Sequence, residues 1–420
     1  MVFDVARVRA EYPALAEGFQ HFDGAGGTQP AASVVAAIAG AMRTAVSNRG
    51  THHEPARRSG EIVAAARLAV ADLVGGEPAG VVFGPSATAL TYLVARTLGQ
   101  GWGPGDEVVV SRLDHDANVR PWVQAAEAAG ATVRWAEVDL ATGELPAAQY
   151  VDLIGPRTRL VAVTAASNTI GTVPAVREIA GIAHAAGALT FVDGVHATAH
   201  RPVDVREMGA DFYVTSAYKW SGPHYAAVIA DPGLWETLEP VKLVPSSRQV
   251  PERFEYGTLS FELLAGITAA VDQLAGLAGE EAGRAGAEEG SGAGSGATSG
   301  PGLSERRRRL LDSMAAVTVH ENALAERLAA GLAAIDSVSV LAAPADRCPT
   351  VSFRVAGQAP AETAQILGEQ GFCLSNGDYY AVEYFVAAGL RDSGGAVRAS
   401  LYHYNTEDEV ERLLEAIAKL

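Results

Sequence analysis

Between about Val81 and Ala230 the chain alternates short apolar runs with longer, Ala-rich stretches. Val81-Val82-Phe83, Glu107 to Val110, Thr132 to Trp135, Leu160 to Thr164, Leu189 to Val192, Phe212 to Thr215 and Ala226 to Ala230 read as strands. Several are apolar almost throughout, the pattern of strands covered on both faces. Pro121 to Ala129 and Val173 to Ala186 read as helices. The alternation predicts an α/β fold: a mostly parallel, seven-stranded sheet with helices on both faces. Sites in such sheets gather in the loops at the carboxyl ends of the strands. Further on, Val351 to Val355, the Cys373 region and Arg398 to Tyr402 supply more strands, with helices between them. That is the signature of a smaller α+β domain.

One segment breaks the pattern. Gly279 to Gly302 contains no Val, Ile, Leu, Met, Phe, Trp, Tyr or Cys. It cannot bury enough apolar surface to offset the entropy of ordering, so it reads as a flexible insertion. The basic run Glu305 to Arg309 reads as the solvated first turn of a helix through Leu310 and Leu311. A nucleic-acid patch is disfavoured there because the whole chain carries a net charge of −17, which repels phosphate backbones. Two cysteines, Cys348 and Cys373, exclude a disulfide framework and an all-cysteine zinc site, and no metal is expected. Asp4 and Glu11 stand where a signal peptide needs an apolar core, and the longest uncharged stretches are broken by Gly, Pro, Ser or Thr. A soluble, cytoplasmic protein with no membrane partner is expected.

Two strand ends carry the chemistry. The run FVDGVHATAH (191–200) closes a strand with Asp193 and His196; TSAYKWSGPH (215–224) closes another with Ser216, Tyr218 and Lys219. A strand-end Asp can pair with a protonated pyridine nitrogen, and a Lys on the next strand end can condense with an aldehyde cofactor. Taken singly, each residue also fits a helix cap or a solvated charge.

Nine collinear motifs remove that ambiguity. They are FDGAGGTQP (22–30), NRGTHH (48–53), FGPSAT (83–88), SRLDHDANVRPW (111–122), ASNTIGTV (166–173), VDGVHA (192–197), TSAYKWSGP (215–223), RFEYGT (253–258) and VRASLYHYNT (397–406). In this order they resemble the class V aminotransferase group of pyridoxal 5'-phosphate (PLP) enzymes, in its cysteine desulfurase-like branch. The resemblance implies the aspartate aminotransferase-like fold of PLP-dependent transferases. It implies a large PLP-binding domain over residues 21–275, and a small domain built from 303–420 with the N-terminal segment 1–20. It makes Lys219 the Schiff-base lysine, Asp193 the partner of the pyridine nitrogen and His115 the residue stacked on the ring. Asn168 and His196 fall near the phenolic oxygen and ring, with His196 replacing the usual Gln. Ser86, Ala87, Thr88, Ser216 and Tyr218 would hold the phosphate, Tyr218 in place of a histidine. Thr258 would reach the phosphate of a second subunit, which implies a homodimer with shared active sites. Arg398 would clamp the α-carboxylate of a small amino-acid substrate, with Ala25, His52 and Asn168 beside it. No role is assigned to His224.

The departure lies in GDYYAVEYF (377–385), where desulfurases carry a mobile cysteine that takes the substrate sulfur as a persulfide. Here the residue is Tyr380; Cys373 reads as an inert core thiol in a strand. The reading that follows is β-elimination, a C–S lyase acting on cysteine or an S-substituted cysteine, with Tyr380 in the side-chain pocket. An aminotransferase acting on another amino acid is the alternative. A PLP-binding protein without catalysis is disfavoured by the intact Lys219, Asp193 and Arg398.

Overall fold

The computed structural model describes residues 3–279 and 303–420. Alternate residues of each apolar run drop into two separate cores. After a two-residue strand β1 (Gln20–His21), the central strands are β2 (Val81–Gly84), β3 (Glu107–Ser111), β4 (Thr132–Ala136), β5 (Thr158–Thr164), β6 (Leu189–Asp193), β7 (Phe212–Ser216) and β8 (Ala226–Ala230). Val81 and Phe83 of β2 face one core and Val82 the other; Val161 and Val163 of β5 oppose Leu160 and Ala162. This is the period-two alternation of a strand buried on both faces. Each fully buried Val, Leu or Phe side chain among them contributes about 1.5–3 kcal/mol.

The sheet order is β2-β8-β7-β6-β5-β3-β4. All pairings are parallel except those of β8, which runs antiparallel to both β2 and β7. Every loop that carries a predicted cofactor residue of the central region therefore opens at the same edge. A second sheet, order β12-β13-β10-β9, is formed by β9 (Val338–Val340), β10 (Thr350–Val355), β12 (Ser375–Gly377) and β13 (Ala396–Ser400). The strand β11 (Phe372–Cys373) pairs in parallel with β1.

Two expectations need correction. The turn at Glu305 is not simply solvated: Arg307 is 4% exposed and donates to the carbonyls of Asp72, Leu73 and Val203. Two of those carbonyls close the helix Glu54–Val74, which leaves them without intrahelical donors, so a guanidinium satisfies them. Cys373 is half-buried on β11 rather than in a core; the enclosed thiol is Cys348, at 1% exposure. The insertion Gly279–Gly302 lies, from residue 280 onward, outside the described residues. Among the described residues no helix is long and apolar enough to cross a membrane. None of their His, Cys, Asp and Glu side chains group as a metal site would require.

Candidate active site

Five strand ends converge on one cavity of about 380 Å³. Beyond β2, Ser86 caps the helix Ala87–Gly99, its Oγ accepting from the N–H of Ala89 at 3.1 Å. Ser86, Ala87 and Thr88 line the cavity, and a helix leaves its first N–H groups free for an anion. Beyond β3, the fully buried Asp114 anchors the next loop, accepting from Ser111 Oγ and from Asn118 Nδ2 at 2.6 Å. That fixes His115, which accepts from the N–H of Ala117 at 3.0 Å. Burial, and then the Lys219 charge, push His115 down to about 4, so it is a neutral ring near pH 7.

Beyond β5 comes Asn168, and at the end of β6 Asp193. Asp193 accepts from the N–H of Val195 at 2.9 Å, and burial raises its carboxyl to about 6 against the pull of that bond and of Lys219. Gly194 follows because a Cβ there would lie 1.9 Å from the Tyr213 ring. Beyond β7, Ser216, Tyr218 and Lys219 complete the wall. Lys219 Nζ donates to the carbonyl of Ala25 and lies 4.8 Å from the centre of the Tyr218 ring. Burial, with Arg398 next in weight, lowers its amine to about 7. An ordinary lysine is almost wholly charged at neutral pH; burial gives this one a neutral fraction it would otherwise lack. The Tyr218 ring stacks on His224, 4.7 Å between centroids and 9° from parallel.

Arg398 arrives from β13, 3% exposed. One amino group donates to the carbonyl of Asn168 at 2.9 Å, the other contacts Ser375 Oγ at 3.3 Å, and its Nε is buried without a partner. The guanidinium lies 4.4 Å from the Tyr379 ring centre. The loop holding Tyr379 and Tyr380 is tied down: Asn168 Nδ2 donates to the Tyr379 carbonyl at 3.0 Å, and the N–H of Asp116 to that of Tyr380 at 2.7 Å. Both tyrosines hold positive φ, +49° and +60°, which costs a non-glycine residue on the order of 1–3 kcal/mol. The Tyr380 ring stacks on His115, 5.4 Å between centroids. Glu383, just beyond, takes ion pairs from Arg112 at 2.9 Å and Arg120 at 2.8 Å.

The cavity thus gathers Ala25, Ser86, Ala87, Thr88, His115, Asn168, Asp193, His196, Ser216, Tyr218, Lys219, Tyr380 and Arg398. His52 and Thr258 are exposed and do not line it. Sequence reasoning missed Tyr379, Ser375, Asn376 and Thr164, which also form the wall. Ser375 stands opposite Arg398 across the β12–β13 pair, a register that appears only once the strands are paired. Tyr379 gave no signal in the sequence, because its direction is set by a positive φ that periodicity does not reveal.

Comparison with known proteins agrees in direction. The family model described as Aminotransferase class-V matches residues 20–289 and 285–413. The chain is 37% identical to an uncharacterized protein of Mycobacterium tuberculosis over the full length of both. It is 34% identical to a probable cysteine desulfurase of Pseudomonas aeruginosa, covering 97% of this chain and 96% of the relative. Among solved structures, the cysteine desulfurase CsdA of Escherichia coli superposes with a TM-score of 0.83 at 25% identity, covering 100% and 98% of the two chains. A cysteine desulfurase of Thermococcus onnurineus shares the fold, with a TM-score of 0.85 at 24% identity over 100% and 98%.

Proposed function

The chain belongs to the class V aminotransferase family of PLP-dependent enzymes, and from that premise we propose that it cleaves the C–S bond of cysteine or an S-substituted cysteine by β-elimination, without a protein persulfide. The observation that carries this reading is the cavity wall itself. Position 380 is a tyrosine stacked on His115, its backbone is hydrogen-bonded to the large domain, and neither Cys348 nor Cys373 is among the described residues that line the cavity. Cys348 is enclosed elsewhere, and burial raises its thiol far above the range in which a thiolate forms at neutral pH.

The residues present fit PLP. Asp193 is a buried carboxylate with no ion-pair partner within reach among the described residues, which suits a protonated ring nitrogen. The first turn of the helix Ala87–Gly99 suits a phosphate, and the partner-free Asn168 Oδ1 and Arg398 Nε are polar atoms left over for ligands. We assign Ser86, Ala87, Thr88, Ser216 and Tyr218 to the phosphate, and Asp193, His115, His196 and Asn168 to the ring. Bound PLP supplies an electron sink for the carbanion formed at the substrate Cα. Arg398 binds the α-carboxylate with its planar fork. Lys219, as a free amine, takes the Cα proton, which a lysine in the ordinary range could rarely do near pH 7. Tyr380 closes the side-chain end and gives a proton to the departing sulfur. Sulfide or a thiol leaves, and the three-carbon enamine that remains takes up one water to give pyruvate and ammonia.

Purified enzyme is therefore expected to release sulfide or a thiol with pyruvate from cysteine or S-conjugates, and thiocysteine with pyruvate from cystine. Amino transfer to a 2-oxo acid, with no C–S cleavage, would sink the reading. Tyr380→Phe is expected to lower kcat about 100-fold with KM unchanged, the typical worth of a general acid. An unchanged kcat would reduce Tyr380 to a pocket wall.

We also propose a homodimer in which His52 and Thr258 serve the partner's site. Both are exposed and outside their own cavity, and their segments are joined by the Arg49–Glu252 ion pair at 2.9 Å. Beside them Val241, Leu243, Val244 and Tyr256 are 62–91% exposed, a cluster of apolar side chains of the kind a second chain covers. Sedimentation should give twice the 43.5 kDa chain mass. A monomer that keeps its full complement of cofactor would refute the shared site.

A further inference from the structure

His196 enters the cavity from the loop after β6, and the chemistry above gives it no proton to move. Its ring is 4% exposed and makes one hydrogen bond, Nε2 to Thr350 Oγ1 at 3.0 Å. Thr350 opens β10, is fully buried, and its hydroxyl has no other partner among the described residues. A buried hydroxyl proton needs an acceptor, and the acceptor in reach is His196 Nε2. If the ring carried its proton on Nε2, the Thr350 oxygen would accept it and the buried hydroxyl proton would be left without an acceptor of its own. Thr350 therefore donates, and the proton of the neutral ring sits on Nδ1. No protein group among the described residues accepts from Nδ1, which leaves it for what the cavity holds.

The donor is held in place from both sides. The N–H of Thr350 bonds the Cys348 carbonyl at 2.7 Å, and the N–H of Cys348 bonds that of Gly171 at 2.8 Å. Gly171 adopts φ +80°, and a Cβ there would sit 2.4 Å from the Cys348 oxygen, so the two segments meet backbone to backbone. Ser352 Oγ adds a bond to the Thr169 carbonyl at 2.6 Å. Behind His196, the ring of His200 meets it edge to face at 4.7 Å and 70°. His200 Nδ1 bonds Glu321 Oε2 at 2.8 Å, both side chains within 1% of full burial. Burial first, and the neighbouring His200 second, hold His196 well below the ordinary imidazole range, so its ring is neutral.

We propose that Thr350 is a positioning residue which, with the His200–Glu321 pair behind it, holds His196 as a neutral Nδ1–H donor presented to the cofactor cavity. The assignment holds whichever reaction the enzyme runs. Apoenzyme labelled with 15N-histidine, read by long-range 1H–15N correlation with His196→Gln to assign the signal, reports the tautomer without turnover. Nδ1–H is expected in the native protein and in Thr350→Ser, and is lost in Thr350→Val. In the holoenzyme, Thr350→Val should raise the cofactor Kd about tenfold, the worth of one hydrogen bond to a charged group, and Thr350→Ser should restore it. Nε2–H in the native protein overturns the proposal, a measurement that needs no variant to fold. So does Nδ1–H retained in Thr350→Val, or a Thr350→Ser protein that behaves like Thr350→Val.

Discussion

Lys219→Ala is expected to lower turnover about 10⁴-fold or more, because one substitution removes both the nucleophile for the cofactor aldehyde and the base at Cα. The core should survive, since the Lys219 side chain donates only to Ala25 and otherwise faces the cavity. In native apoenzyme, labelling of Lys219 by an amine reagent should rise with pH through about 7. The sign follows from burial and the Arg398 charge, which disfavour the ammonium, so the reactive free amine appears as pH climbs past the lowered value. Peptide mapping of the label against pH reads this directly. Labelling that stays flat until the ordinary lysine range, or turnover that persists in Lys219→Ala, would remove Lys219 from the centre of the chemistry.

Arg398→Ala comes second, with a loss in kcat/KM on the order of 10³-fold, as expected when one member of a buried, hydrogen-bonded charge pair is removed. The loss should fall mainly on substrate binding. Cofactor retention should be near native, because the proposed PLP contacts come from the central sheet loops. Arg398→Lys should recover little, since an ammonium lacks the fork that reaches two carboxylate oxygens. Steady-state kinetics beside a cofactor absorbance titration separates the two effects. A variant that loses PLP while keeping its substrate KM would contradict the clamp.

The residues legible in the sequence were those whose place is fixed by backbone pattern or by the order of motifs. All seven central strands follow from apolar runs, and Asp193, Ser216 and Lys219, which line the cavity, were legible only because the motifs ending two of those runs stand in one order with seven others. What escaped depended on tertiary contacts. Arg307 sits in a basic run that reads as solvated, yet it closes the carbonyl end of a helix more than 200 residues away in sequence. Cys373 reads as core because it lies among apolar residues, but β11 pairs on one side only with the two residues of β1, and the thiol stays half-buried. His224 could not be assigned until the Tyr218 ring appeared against it. His52 and Thr258 were named by resemblance alone, and the single chain keeps them outside its own cavity.

The central claim is that sulfur leaves the substrate without passing through a protein thiol. Desulfuration to alanine needs a nucleophile to take sulfur from Cβ; elimination needs only a leaving group and a proton. The most direct measurement is alkylation and mass mapping of Cys348 and Cys373 after turnover with cysteine, with the carbon product quantified in the same sample. Two unmodified cysteines and pyruvate equal to the sulfide released are predicted. A persulfide on either cysteine, with stoichiometric alanine, would contradict the account and make this an ordinary desulfurase.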